Sequence, residues 1–502
     1  MKRAIISNLA GTLINLIFSL ITVPIQIRLL GVEAFGLVGF IASLQIILVL
    51  LDFGLSSSVV REIAANHRDD KLNAAIIQTS ATVYWAVATV VGIAVFMSAD
   101  WISVHWLNSQ TLTPDYLAGC VRIIAAYMIL TWPVGHYANV LFALKRLDLV
   151  NGLRIFTSFT SQFGGIVLIY LTRDVAVFLM WLALNALLSI TLHMSFVRRV
   201  FDGVSLLPGI SRQAVGQLWH TAFNMNIVSS AATIYTQLDK LLISSLLPLS
   251  QLGYYNVAYR LMVASTLIPV TIGGSILPTM TEQFARGAHH QLTLIYNRVA
   301  QLMLYIMSGF AFGLIFWGQD VIRIWTSAET ASNAYQVLGL LSLGALLNTV
   351  TILTYQLLLA TGHSRILRNI YGYGMLPYGL CQYWLIVNMG LIGAALGLLL
   401  YSVYFIVTLL VYTSRHITHE SVIPWLNRNL TVFTLLGVGI FGAGRWLLNV
   451  VGADSNLVIM GMGLLCGIAY FAVGFLLLYD ITRVTILDTV MKRYRAVLKP
   501  ES

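Results

Sequence analysis

Charge is what this sequence has least of. Lys and Arg total 29 and Asp and Glu 19 in 502 residues, 10% of the chain, where a soluble globular protein carries roughly 25%. Hydrophobic residues make up 58% and the mean hydropathy is +0.83. These values exclude a soluble enzyme, a disordered chain and a collagen-like chain. Cysteine is nearly absent too. Cys120, Cys381 and Cys466 stand singly inside apolar stretches, without metal-ligand spacing or an obvious pairing, so a disulfide scaffold is excluded. No G-x-x-x-x-G-K-[ST], H-E-x-x-H or G-x-S-x-G occurs, and Gly-Lys is missing altogether. The chain therefore has no phosphate-cradling loop with which to drive itself on ATP, and no zinc-protease or hydrolase signature.

What is present is a succession of apolar runs. A membrane helix needs about 20 mostly apolar residues. Such runs predict fourteen spans, near 8–28, 37–58, 74–98, 117–142, 153–171, 175–197, 219–246, 252–278, 299–318, 335–360, 369–387, 391–412, 430–449 and 456–479. The first run continues past Ile25 without a small-residue cleavage site, which reads as a first span and not as a signal peptide. The expected fold class is an all-α integral membrane protein. It has an N-lobe at 1–197 and an inter-lobe linker at 198–218. A C-lobe follows at 219–413, then a loop at 414–429, two extra spans at 430–480 and a basic tail at 481–502.

The net charge of +10 invites nucleic acid, but the basic residues sit in short turns between apolar runs, so no nucleic-acid partner is expected. With both termini placed in the cytoplasm, 22 of the 29 Lys and Arg fall on the cytoplasmic side, as the positive-inside rule requires. Arg28, Arg173, Arg323 and Arg445 fall outside, and Arg122, Lys240 and Arg260 lie within spans. Trp101, Trp106, Trp317, Trp325 and Trp446 fall near the outer ends, where interfacial aromatics belong.

Six spans, a linker and six more suggest a duplication. LLGVEAFGLVGF at 29–40 aligns with LLPLSQLGYYNV at 246–257, placing Gly36 on Gly253, and Asp100 and Glu62 align with Asp320 and Glu282. Each half begins inside and has an even number of spans, so the halves are parallel repeats, an arrangement typical of transporters with a site between halves. The first span of each half carries a polar stripe. Asn8, Thr12, Asn15, Ser19, Thr22 and Gln26 recur at helical spacing, and Asn226, Ser230, Thr233, Gln237, Lys240 and Ser244 repeat it. One such face is polar for the whole depth of the span. It is expected to line a watery path; ordinary Ser, Thr and Asn contacts between helices are the alternative.

Ionisable groups inside spans are functional candidates by default. Arg28, Lys240 and Arg260 are candidates to line one cationic cavity for an anionic group. Asp239 is an alternative partner for Lys240 or Arg260, and Asp52 is an alternative cap at a helix end in DFGLSSS. The histidines read as structural, His136 as a buried polar contact.

The ordered set VPIQIRLLGVEAFGLVGF at 23–40, DFGLSSSVVREIA at 52–64, DKLLISSLLPLSQLGYYNVAYRL at 239–261 and IPVTIGGSILPTM at 268–280 resembles the multidrug/oligosaccharidyl-lipid/polysaccharide (MOP) flippase superfamily, and within it the Wzx-type polysaccharide exporters. The resemblance implies two six-helix lobes, alternating access and residence in a bacterial cell membrane. It also implies a cargo, an undecaprenyl-pyrophosphate-linked oligosaccharide turned from the cytoplasmic to the outer leaflet. Arg28 and Arg260 resemble the family's cationic cavity residues by span and depth. Asn8, Asn15, Asn226, Gln237 and Lys240 join them as expected cargo-binding residues. Asp239 and Asp52 are the candidates for H+ or Na+ coupling, with membrane potential as the other drive, and no cofactor is expected. A polysaccharide polymerase and chain-length proteins are the implied partners, with membrane lipids. Two rival readings follow from the residues: a cation-coupled exporter of small amphipathic compounds, and a membrane enzyme or scaffold of an envelope-polymer complex.

Overall fold

The computed structural model describes residues 2–52, 54–65, 69–201, 208–452 and 455–478, without the side chains of residues 2–10, 12, 46, 47, 49 and 219–230. Helices account for nearly all of it. In chain order they are α1 (Lys2–Leu30), α2 (Val32–Leu50), α3 (Leu55–Ala65), α4 (Asp70–Met97), α5 (Pro114–Ala143), α6 (Leu147–Phe159), α7 (Gly165–Thr172), α8 (Val175–Val200), α9 (Arg212–Leu246), α10 (Leu249–Ala285), α11 (His289–Trp325), α12 (Ala328–Ala360), α13 (Ser364–Phe405), α14 (Val432–Val451) and α15 (Asn456–Leu476), with short helical turns between some of them. Among the described residues there is no strand, only one parallel bridge between Asn108 and Pro248. Eleven helical segments among the described residues are long and apolar enough to cross a membrane. The chain is thus an all-α, multi-pass membrane protein.

Side-chain caps start several of these helices. Asp69 accepts from the Leu72 amide at 3.0 Å, Asp174 from Ala176 at 2.7 Å, and Ser327 from Thr330 at 3.1 Å. Each satisfies an amide that the helix itself leaves unpaired. Pro114 opens α5, where its missing N–H costs nothing.

One of the expected spans takes a different form. The run read as one span at 37–58 is broken. Helix α2 ends at Leu50, Gly54 adopts φ +76, and α3 starts at Leu55. The apolar run hides a sharp turn that glycine permits. The runs at 369–387 and 391–412 are two helical arms of the segment Ser364–Thr418 that part at Gly390, whose φ of 58 a right-handed helix does not contain. Beyond that glycine the chain runs back on itself. Gln382 Nε2 donates to Ala394 O at 3.1 Å and the Tyr404 hydroxyl to Ile370 O at 2.9 Å.

Packing groups the chain into two units, Met1–Val257 with Tyr371–Ala394, and Ala258–Ile370 with Ala395–Ser502. The boundary passes through α10 and α13, which differs from the lobe limits at 197, 219 and 413. In the first unit Ile76, Tyr137, Val140, Ile190 and Val197 form a buried cluster. In the second, α14 and α15 pack on α11 through small residues. Gly437 faces Phe312, Gly463 faces Trp317 and Gly474 faces Tyr305, the close approach that drives helix association in lipid. Polar links complete it, with Trp317 Nε1 on Ile459 O at 3.2 Å and the Tyr470 hydroxyl on Tyr305 O at 2.9 Å. Asp320 of α11, buried, accepts from Arg445 of α14 at 2.5 Å and pairs with Arg323 at 3.1 Å.

Candidate functional site

The polar stripe of α1 turns toward protein. Thr22 is 1% exposed and Gln26 6%, and Thr22 Oγ1 donates to Gln162 Oε1 at 2.9 Å. The open face of α1 is apolar instead, with Leu13, Ile17 and Ile21 exposed, and Arg28 continues that face at its end. The expected watery path is corrected for this part of the stripe: Thr22 serves as a helix contact, because a hydroxyl bonded inside the bundle needs no water, and Gln26, one turn on, is buried too. Asn15 and Ser19 are half-buried. The side chains of Asn8 and Asn226 lie outside the described residues.

On α9 the matching stripe carries a compact polar cluster. Lys240 is 2% and Asp239 6% exposed. The Lys240 ammonium donates to Gln237 Oε1 at 2.9 Å and Thr236 O at 3.2 Å, and lies 3.7 Å from Asp239 Oδ1. Asp239 also accepts from the Lys240 amide at 2.8 Å and from the Tyr255 hydroxyl. Lys240 is therefore enclosed, and its charge faces Asp239 and Gln237.

Arg260 has a different setting. It lies eleven residues into α10, about 16 Å along the axis, and its side chain is exposed. A guanidinium at that depth of a span would cost several kcal/mol in lipid, which makes it a functional candidate. Two to three turns earlier on the same helix, α10 closely approaches α2. A Cβ at Gly36 would strike the Leu249 backbone, and a Cβ at Gly253 would strike the Val32 backbone. The offset of 217 that aligns Gly36 with Gly253 also relates Val32 to Leu249. The contact is reciprocal: each glycine meets the counterpart of the residue that its own counterpart meets. Gly39 and Asn256, mates by the same offset, meet one another next along the seam.

The segment after α4 crosses this seam. Its π-helical turn Ile102–Trp106 leads to Thr113, the cap of α5. Trp106 Nε1 donates to Ser244 Oγ of α9 at 3.0 Å, and Asn108 O accepts from Leu249 N at 2.7 Å. Glu33 of α2 holds the far end, accepting from Gln110 N at 2.7 Å, Thr111 N at 3.2 Å and Thr111 Oγ1 at 2.5 Å. Sequence reasoning passed over Glu33. The signal was an acid two residues after a turn glycine, paired with a donor-rich NSQT at 108–111.

The remaining candidates are local. Asp52 accepts from Ser56 N at 3.3 Å and Ser56 Oγ at 2.9 Å, and from the Tyr84 hydroxyl, so it sits at the start of α3. His136 is buried and stacks on Tyr84 at 4.9 Å. Arg122 reaches both Asp100 oxygens at 2.8 Å.

Fold and site together define a multi-pass helical membrane protein with charged side chains inside its spans. A family model described as "Polysaccharide biosynthesis protein" matches residues 1–284, and the chain belongs to that family. A Shigella flexneri protein named "Putative O-antigen transporter" is 21% identical over 399 residues, 78% of this chain and 92% of that protein. In fold the chain is similar to the lipid II flippase MurJ in an inward closed conformation, with a TM-score of 0.72 at 14% identity over 93% of this chain and 98% of that one. It is also similar to an inward-facing multidrug resistance MATE transporter of the MOP superfamily, with a TM-score of 0.60 at 15% identity over 81% of this chain and 94% of that one.

Proposed function

We propose that this protein is an alternating-access flippase for an undecaprenyl-pyrophosphate-linked oligosaccharide, moved from the cytoplasmic to the outer leaflet. The observation that carries the reading is Arg260, an exposed cation in a membrane helix one turn beyond Asn256 of the seam between α2 and α10. A pyrophosphate is the costliest part of such a cargo to bring past a roughly 30 Å apolar core. Charge-assisted hydrogen bonds from a guanidinium lower that cost. Arg28, exposed at the end of α1, adds a second cation, and the prenyl tail stays in lipid.

Fourteen spans support the same reading. The segment Ser364–Thr418 contributes two spans about Gly390, while α2 with α3, and α9, supply those that length and apolarity alone miss. In this reading both termini lie in the cytoplasm, which the distribution of Lys and Arg supports. Asp239, held by Tyr255 and the Lys240 amide, is in this reading a structural acid, which argues against the exporter alternative.

The test is deletion in the source bacterium, complemented with the wild type, Arg260→Ala or Arg28→Ala. Surface polysaccharide and the leaflet of the lipid-linked intermediates are measured. Loss of surface polymer, with intact intermediates stranded inside, is expected on deletion and with Arg260→Ala. Normal export from both arginine variants overturns the cationic site, and normal polymer on deletion overturns the cargo.

A further inference from the structure

We propose that residues 102–113 form a strap that locks the outer end of the transport path, with Glu33 as its positioning residue and the Gly36–Gly253 contact as the seam it holds shut. The inference rests on the flippase reading, because transport by alternating access requires that end to open.

Four observations converge on the strap. At Gly36 and Gly253 the seam lays backbone close to backbone, with the Val32 side chain beside Gly253 and the Asn256 amide set into the space at Gly39. Few side chains interdigitate across such a joint, and it needs something else to hold it. The strap is tied to both sides of it, to α2 through Glu33 and to α9 and α10 through Ser244 and Leu249. Its ties are polar, and water can replace each of them when the end opens. A neutral hydrogen bond of this kind biases the closed state roughly two- to tenfold. Burial along the α9 stripe runs the same way: Lys240 and Ser244 are buried at the end the strap is tied to, while Thr233 and Gln237, farther back on the helix, are half-buried.

Glu33 is the control point because one carboxylate accepts three donors from two successive strap residues. Those bonds are charge-assisted and stronger than neutral ones. Removing the charge leaves Gln110 and Thr111 facing an amide with donors of its own, and the strap's far end is released.

Ser43 supplies a reporter. It lies seven residues beyond Gly36 on the same face of α2 and is 0% exposed, so Ser43→Cys is nearly isosteric and sits beneath the seam. In full-length protein with Cys120, Cys381 and Cys466 replaced by alanine, Ser43→Cys is labelled from outside in right-side-out spheroplasts with a membrane-impermeant maleimide. Adding Glu33→Gln is expected to raise the labelling rate on the order of tenfold, the equivalent of one charged hydrogen bond. Trp106→Phe keeps an aromatic ring, though a smaller one, removes the donor to Ser244, and is expected to raise it severalfold. It also serves should Glu33→Gln not reach the membrane. A rise with either variant supports the strap. Unchanged labelling in membrane-inserted variants overturns it. Surface polysaccharide is scored in the same cells. A rise in labelling where deletion of the gene leaves the polymer normal supports the strap and overturns the flippase reading, so the two failures are separable.

Discussion

Neutralising Asp239 separates a structural charge pair from a transport acid. The Lys240 ammonium lies 3.7 Å from Asp239 Oδ1, and both side chains are almost wholly enclosed, at 3% and 8% side-chain exposure. At an effective dielectric of about 20 the pair attracts by about 4 kcal/mol. Removing one partner of a buried pair costs about 3–5 kcal/mol, because the other charge stays buried. Gln237 and Thr236 still receive the ammonium, so Asp239→Asn should cost about 3 kcal/mol. Lys240→Met should cost a similar amount, leaving a carboxylate with only the Tyr255 hydroxyl and an amide. The double variant carries no buried charge and should lose far less than the sum, with a coupling of about 2 kcal/mol. The assay is the thermal unfolding midpoint of the purified full chain in detergent, alongside surface polysaccharide from complemented deletion cells. Both readouts should fall in the single variants and recover together in the double. Additive losses refute the pairing. A stable double variant that exports nothing refutes the structural assignment and makes Asp239 a participant in transport.

Other outcomes follow from the same geometry. Arg260→Ala should cut export, with Arg260→Lys intermediate because it keeps the charge and loses the bidentate fork; surface polysaccharide from complemented deletion cells checks it. Gly36→Leu should destabilise by about 1–3 kcal/mol, the usual cost of overpacking, since its Cβ meets the fixed backbone of Leu249; a full-length melt checks it. Asp320→Asn releases Arg445 from α11 and should speed maleimide labelling of Cys466, which faces Gly444 across α14 and α15, before global unfolding. Thr22→Val should cost about 1 kcal/mol, the worth of one hydrogen bond, through the loss of Gln162, without changing export.

Much of the architecture was legible because the membrane makes it so. A run of apolar residues long enough to span lipid has few alternatives to a helix, and the ends of α4, α5, α8 and α12 follow from their Asp, Thr and Ser caps. The break between α2 and α3 was harder to read. Leu50, Leu51, Phe53 and Leu55 keep the run apolar, and only Asp52 with Gly54 marks the turn. The candidate site was legible in kind and less so in detail. Arg260 and Arg28 stand exposed, whereas Lys240 is enclosed by neighbours on its own helix. Helical spacing identifies a polar face, but it does not say whether that face meets water or another helix. For Thr22 the deciding residue is Gln162, 140 positions away. The strap was invisible for the same reason, since its partners Glu33, Ser244 and Leu249 are distant in sequence.

The seam between α2 and α10 also bears on how such a chain can change over time. If the two halves descend from one copy, an ancestor of half the length would have placed identical residues on both sides of the joint. Gly39 facing Asn256 could not arise there, because an asparagine on each side would drive two amides into one space. Here the glycine provides the room that the Asn256 amide occupies. Fusion into a single chain lets paired positions specialise, one as the space and the other as its filling. It also makes them dependent, so that a side chain gained at Gly39 is tolerable only if Asn256 shrinks first.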